Sequence, residues 1–410
     1  MKRCLAIRWG AFGDMLYALP ALERLKKEYP YLHLETGSRG KLLFDANPIF
    51  DKISSFDLVG YDKASHHMVA QLRWKTLEDV GWDKAVNFWR CLEASCILEE
   101  WQEGFFHPRE RRRKEMGHKN FYDMHLEKCG FPTGLEDCGT FYFPEEVLFW
   151  TEFWKKQHHG KFNIVIALAG STAQKTPFGM RELAEEISNA WPDARFYLVG
   201  DREGAHLQFS LGKSNVVQTC GTWPYLQAMA LTRMADYVIG PETSLLVAAG
   251  MFGTPKTMIA TSCGYEQATK YQKNDFSIQS TFACSPCYRA IYNYGLKASQ
   301  RYCNEVETQF GKIPGCNLHW DKERILKGVE FAYKMRGVRR ELERSQKGPG
   351  FTTLPDLQPP LLPEGDRNGE VRPSVLPEVR TVRKDTAWLH DIDATLGPGV
   401  EVPAAAGAGS

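Results

Sequence analysis

Apolar positions near the start of the chain fall into two rhythms. Cys4–Arg8 (CLAIR) is a short continuous apolar run, which predicts a buried strand. Trp9–Gly13 follows as a loop with two glycines, Gly10 and Gly13. From Asp14 the apolar residues return every three or four positions (DMLYALPALERLK), which predicts an amphipathic helix opening at Asp14. An acidic side chain therefore stands where a strand hands over to a helix. In an open α/β sheet that edge is where ligands bind.

The same alternation continues. Leu32–Thr36 reads as a strand, Ser38–Lys41 (SRGK) as a glycine turn before a short helix, and Lys84–Asn87 as another strand. Arg109–Lys128 reads as helical, and Glu145–Gly160 as a connector. A second α/β unit opens near Lys161 with KFNIVIALAGS, then a loop and a helix over Gly179–Ala190. ARFYLVGD, VVQTCG and ADYVIG are further strands, each closing on glycine, and Lys256–Ala260 resumes as strand after Gly253-Thr254-Pro255. Strands that alternate with helices predict parallel sheets. Two such units, 1–150 and 160–335, predict two Rossmann-like domains. From 337 to 410 the text turns basic and then proline-rich, which predicts a disordered or extended tail, with Trp388-Leu389 as a short docking motif at most.

Composition narrows the classes. The chain has 410 residues, 43% hydrophobic and 25% charged, with a net charge of +1. That balance gives no electrostatic reason for a nucleic-acid partner. No run approaches the roughly 18–20 apolar residues that span a bilayer, and no leader-like apolar core follows the first basic residues. The expected compartment is the cytoplasm, or a peripheral position at the inner membrane face. The 11 cysteines cannot all pair within one chain.

Four places could carry chemistry. Asp14 is either a helix cap, which local propensity favours, or a base that works on a ligand brought close by Gly10 and Gly13. Gly170 and the loop Ser171, Thr172, Ala173, Gln174, Lys175 offer hydroxyls and a cation for phosphate oxygens, or are simply a polar loop. Glu242, Thr243 and Ser244 open a helix whose first N–H groups suit a phosphate, while the Glu242 carboxylate suits sugar hydroxyls or a cap. Cys284, Cys287, Cys303 and Cys316 have the spacing C-x2-C-x15-C-x12-C, compatible with a structural zinc, with disulfides or with free thiols. The run Arg109–Arg113 reads as a solvated helix face, with a phosphorylated acceptor as the alternative. His66-His67 and His158-His159 lack partners at metal spacing.

Several of these segments together resemble glycosyltransferase family 9, the ADP-heptose:lipopolysaccharide heptosyltransferase-like group, over about residues 3–335. The residues concerned are Gly13-Asp14 with Pro20-Ala21-Leu22, the strand Ala235–Gly240, Glu242-Thr243-Ser244, Ala248-Ala249, Gly253-Thr254-Pro255 and the late Cys-x-Pro-Cys. The segment Val86–Phe131 is similar to divergent, phage-type members. The resemblance implies a GT-B fold, two Rossmann-like domains facing a cleft. It implies an inverting transfer of a sugar, heptose or related, from a nucleotide-diphosphate sugar to an acceptor hydroxyl on a glycan or lipid-linked molecule. Asp14 matches the family's general base, Lys175 its diphosphate-binding lysine, and the Thr243 region its donor contacts. No cofactor is required for catalysis, because helix N-termini and basic side chains balance the leaving group. The family's acid at the second motif is Asp where this chain has Glu242, its glycine is Ser244, and a common histidine is Val247. The alternative is a non-catalytic nucleotide- or glycan-binding protein that keeps the fold. A dinucleotide-dependent dehydrogenase lacks its G-x-G-x-x-G after the first strand.

Overall fold

A computed structural model of the chain describes residues 1–57, 63–89, 91–92, 102–158, 161–172, 174–212, 215–289, 303, 305–308 and 311–345. The first half holds β1 (Arg3–Arg8), α1 (Phe12–Glu28), β2 (Tyr31–Thr36), α2 (Ser38–Phe44), β3 (Lys52–Ser55), α3 (Lys63–Glu78) and β4 (Lys84–Asn87). These four strands form one parallel sheet in the order β3-β2-β1-β4. Two further helices, α4 (Arg109–Met116) and α5 (Phe121–Cys129), and the connector helix α6 (Glu145–His158) lead to the second half.

The second half holds β5 (Phe162–Ala167), α7 (Met180–Ala190), β6 (Ala194–Val199), β7 (Val216–Gln218), α8 (Tyr225–Met234), β8 (Tyr237–Pro241), α9 (Ser244–Met251), β9 (Lys256–Ala260), α10 (Tyr265–Thr269) and β10 (Ile278–Gln279). A two-stranded antiparallel hairpin, β11 (Glu305–Thr308) and β12 (Gly311–Pro314), precedes the last helix, α11 (Lys322–Ser345). The second sheet is parallel, ordered β7-β6-β5-β8-β9-β10. Numbered within the half, that is 3-2-1-4-5-6, the doubly wound order in which ligands bind where the chain reverses direction across the sheet. Here the reversal lies between β5 and β8. In the first sheet it lies between β1 and β4.

Every residue of β5 is buried, and the period of two divides the strand between two cores. Ile164 and Ile166 face a layer closed by α7 and α11, with Leu183, Ile187, Ile325 and Val329. Val165 and Ala167 face the other core, which is continuous with the first half through Leu246 and Ala249 of α9, Leu16, Leu19 and Leu22 of α1, and Tyr122 of α5. Nine residues of α1 are buried, because the helix is packed against α5 and α9 as well as its own sheet. The two sheets thus share a core around α1.

Three local readings change. Ser38–Lys41 is the first turn of α2 rather than a turn before it. A Cβ at Gly40 would lie within 1.9 Å of Thr36 Oγ1 and 2.6 Å of Met15 Sδ, so the glycine is there for close packing. The stretch Arg109–Lys128 breaks into α4 and α5 at Gly117, with Asn120 capping α5 by accepting from the Tyr122 and Asp123 N–H groups. Finally, α11 runs to Ser345, past the expected start of the tail at 337; residues 346–410, Trp388-Leu389 among them, lie outside the described residues. Among the described residues no helix is long and apolar enough to cross a membrane.

Candidate active site

The loop after β1 and the loop after β8 meet. Gly13 is in the first turn of α1, and a Cβ there would lie 3.6 Å from Ser244 Cα and 3.8 Å from Ser244 N. The chain of one half therefore rests on the opening of α9 in the other. Beside this contact Phe12 stacks on Tyr225 of α8, with centroids 3.7 Å apart and planes 5° from parallel. The two motifs, far apart in sequence, line one place between the sheets.

Asp14 is not the N-cap of α1. Ala11 occupies that position, and Asp14 is the third helical residue. Its Oδ2 accepts from the Ala11 N–H at 3.2 Å and lies 3.3 Å from Arg8 Nη2. Arg8 closes β1 and is 1% exposed, whereas the Asp14 side chain keeps 24% of its surface open. Gly10, at φ +145°, lies over the pair. A side chain there would come within 3.1 Å of Asp14 Oδ2 and 3.3 Å of Arg8 Nη1. Tyr17, one turn on, is fully buried; burial pushes its phenol well above its ordinary value, and Cys263, Asp14 and Glu242 add to the rise. Asp14 and Glu242 thus act on one buried ring.

The donor-side candidates divide. Ser171 is exposed. Thr172 is 2% exposed, and its Oγ1 has no hydrogen-bond partner among the described residues. Thr243, the N-cap of α9, likewise has an unpartnered Oγ1 among them. The first N–H groups of a helix have no carbonyl within the helix to bond, so the start of α9 offers donors where the halves meet. Lys175 is held in a tight turn, its N–H donating to Thr172 O at 3.0 Å and its C=O accepting from Gly170 N–H at 2.7 Å. Its Nζ lies 3.5 Å from Glu242 Oε2.

Glu242 caps no helix. Its Oε1 accepts from the Thr261 N–H at 2.7 Å and the Cys263 N–H at 3.3 Å, and its Oε2 from Ser262 Oγ at 3.0 Å. The extra methylene, relative to aspartate, carries the carboxylate down to the loop after β9. There it fixes Lys175.

The four late cysteines come together on one cavity of about 430 Å³, with Arg109, Arg112 and Arg289 also on its wall. Burial pushes the Cys287 thiol up to about 11 and the Cys303 thiol up to about 12, and raises Cys284 and Cys316 as well. Among the described residues no three His, Cys, Asp or Glu side chains are set to hold a metal ion. Among the described residues, Cys284, Cys287, Cys303 and Cys316 form no disulfide; Cys96 lies outside the described residues.

The arginine run is not a solvated face. Arg112 is 3% exposed and donates to Cys287 O at 2.9 Å, Arg113 donates to Ser285 O at 2.8 Å, and Arg109 donates to Ala283 O. Arg111 alone of the four arginines points outward, to Glu115. The run binds the Cys284–Cys287 loop to α4. Of the histidines, His158 pairs with Tyr197 Oη at 3.0 Å; the side chains of His66 and His67, and His159, lie outside the described residues. Arg8 was the residue passed over in the sequence. Its signal is a charge closing an otherwise apolar strand six positions before Asp14.

No protein-family model and no curated protein matches the sequence. Solved structures do match. A glycosyltransferase family 9 protein from Veillonella parvula superposes with a TM-score of 0.55 at 13% identity, over 81% of this chain and 97% of that one. The E. coli ADP-heptose LPS heptosyltransferase II superposes with a TM-score of 0.53 at 11% identity, over 82% of this chain and 99% of that one. At such identities the likeness is one of fold. The chain has the α/β, GT-B fold of the glycosyltransferase family 9 structures, two Rossmann-like halves facing a cleft.

Proposed function

We propose that the chain is a glycosyltransferase that moves a sugar, heptose or related, from a nucleotide-diphosphate sugar to an acceptor hydroxyl with inversion. The observation that carries this is the contact of Gly13 with Ser244, which puts an accessible carboxylate beside a helix N-terminus. Asp14 takes the proton of the acceptor hydroxyl as that oxygen attacks the anomeric carbon. The C–O bond to the diphosphate breaks on the opposite face. Lys175 and the first N–H groups of α9 receive the charge that develops on the leaving diphosphate. With these groups in place the transfer needs no divalent metal. The acceptor is a glycan or lipid-linked molecule, and the place of work is the cytoplasm or the inner membrane face.

The test has two stages. A thermal-shift screen of nucleotide-sugars identifies the donor by the stabilisation it brings. Turnover of that donor is then measured in Asp14→Asn and Asp14→Ala, which lose transfer by a factor on the order of 10²–10⁴ while still binding the donor. Normal turnover in both variants would leave Asp14 as a structural carboxylate. One observation favours a second reading, a binding protein without turnover: Glu242 already neutralises Lys175. Tight nucleotide-sugar binding with no hydrolysis and no transfer decides for it.

For the late cysteines the proposal is a structural zinc on Cys284, Cys287, Cys303 and Cys316. Four thiols on one cavity suit it in number and donor type, and the guanidiniums on the wall offset thiolate charge. The thiols must close on the ion from where they stand. Metal analysis giving about one zinc per chain, lost in Cys→Ser variants, is the expected result; metal-free protein with titratable thiols rejects it.

A further inference from the structure

Arg8 stands at the head of β1 beneath the Asp14 loop, and burying a guanidinium is costly. A strand end could have been closed by a neutral residue at less cost. Its Nη1 donates to Trp9 O at 2.8 Å, which fixes the guanidinium plane, and its Nη2 reaches Asp14 Oδ2 at 3.3 Å. Gly10, by having no side chain, lets the two groups stay in contact.

The groups around this carboxylate come from several elements. Tyr17 lies on α1, with its phenol pushed up by burial and so neutral. Glu242, at the close of β8, bears on the same ring and is engaged with Lys175. His125 on α5 is buried and held neutral, its ring pushed down to about 3 by burial and by the nearby Arg8 charge. Among the described residues, the Arg8 guanidinium is a cation in contact with Asp14.

We propose that Arg8 is a positioning residue for Asp14. It holds Oδ2 and keeps the carboxylate ionised at the pH of transfer. The inference rests on the reading of Asp14 as the base. An opposite charge within about 4–6 Å lowers a carboxylate pKa by roughly 1–3 units, so removing the charge raises it.

The experiment titrates Asp14 directly and needs no substrate. The infrared carboxyl band of the full chain is followed against pH, and the band missing from Asp14→Asn is assigned to Asp14. Arg8→Met is expected to move the midpoint up by about one unit or more. Arg8→Lys, which keeps the charge, is expected to stay within about half a unit of the natural protein. Should Arg8→Met not fold, Gly10→Ala parts the same pair and is expected to raise the midpoint in the same direction. An unmoved midpoint in the folded variants overturns the inference, as does an equal shift in Arg8→Lys and Arg8→Met. Normal turnover by Asp14→Asn is a different result: it removes the base reading, and this inference with it. An inactive Asp14→Asn with an unmoved midpoint removes this inference alone.

Discussion

Replacing Glu242 tests how Lys175 and the loop after β9 are held. Its carboxylate, 6% exposed, holds the Thr261 and Cys263 N–H groups, Ser262 Oγ and Lys175 Nζ. Glu242→Ala strips all four of their acceptor. A hydrogen bond to a charged group contributes about 1.5–3 kcal/mol, and donors that share an acceptor do not add. Removing one partner of a buried pair costs about 3–5 kcal/mol, which we take as the size of the whole effect. For a protein of this class that lowers Tm by roughly 10 °C. Glu242→Gln keeps the shape and one acceptor oxygen for the two N–H groups, so its loss is smaller, about 1–2 kcal/mol. Glu242→Asp draws the carboxylate back by about 1.5 Å and falls between them. Urea unfolding of the three variants, with the slope m compared throughout, gives the values. Glu242→Ala unfolding within about 1 kcal/mol of the natural protein at the same m would refute the account: the loop after β9 would then be held by something else.

Two further outcomes follow from burial. His125 has a folded pKa of about 3 against an ordinary 6.5, so the unfolded chain binds the extra proton between those values. Stability therefore falls as pH drops from about 6.5 toward 3, by on the order of 3–5 kcal/mol for this group, and His125→Phe flattens that fall in pH-dependent urea melts. Arg112→Ala, which removes the buried donor to Cys287 O, costs about 2–4 kcal/mol and speeds maleimide labelling of Cys287. Arg111→Ala, on the exposed side of the same helix, stays within about 0.5 kcal/mol.

The strands that positioned the site were the easiest to read. β4 and β9 match their expected limits, although only β9 is buried along its whole length; in β4 Val86 alone is buried. β3 went unread: it is a short edge strand (KISS) with one apolar residue, Ile53, and its side-chain ties to β2, from Ser54 to His33 and Glu35, join residues about 20 positions apart. The helix α8 was likewise missed between VVQTCG and ADYVIG, although six of its ten residues are buried. Gly40 misled because a glycine needed for packing looks the same in sequence as one needed for a turn. The arginine run misled for a related reason. Charge predicts solvent until a buried loop supplies carbonyls to receive it, and those carbonyls belong to residues over 170 positions away.

At the candidate site, the sequence put Asp14 and Lys175 just after predicted strands and named no side-chain partner for either. Asp14 and Lys175 stand at the two points where the strand order reverses, which the βα spacing implied. That Asp14 would lean on Arg8 and Lys175 on Glu242 was not legible. Each pairing depends on a side-chain direction, fixed only when Gly10 and the loop after β9 take their backbone shape.

The packing of α1 has a consequence for how the protein is made. Its buried faces are covered in part by α9, and about 200 residues separate the two helices along the chain. At about 5–20 residues per second of synthesis, α1 waits roughly 10–40 s before its partner leaves the ribosome. Through that interval Leu16, Leu19 and Leu22 have only part of their final cover. A chain cut short before Ser244 is therefore born with its Asp14 loop on an unfinished core.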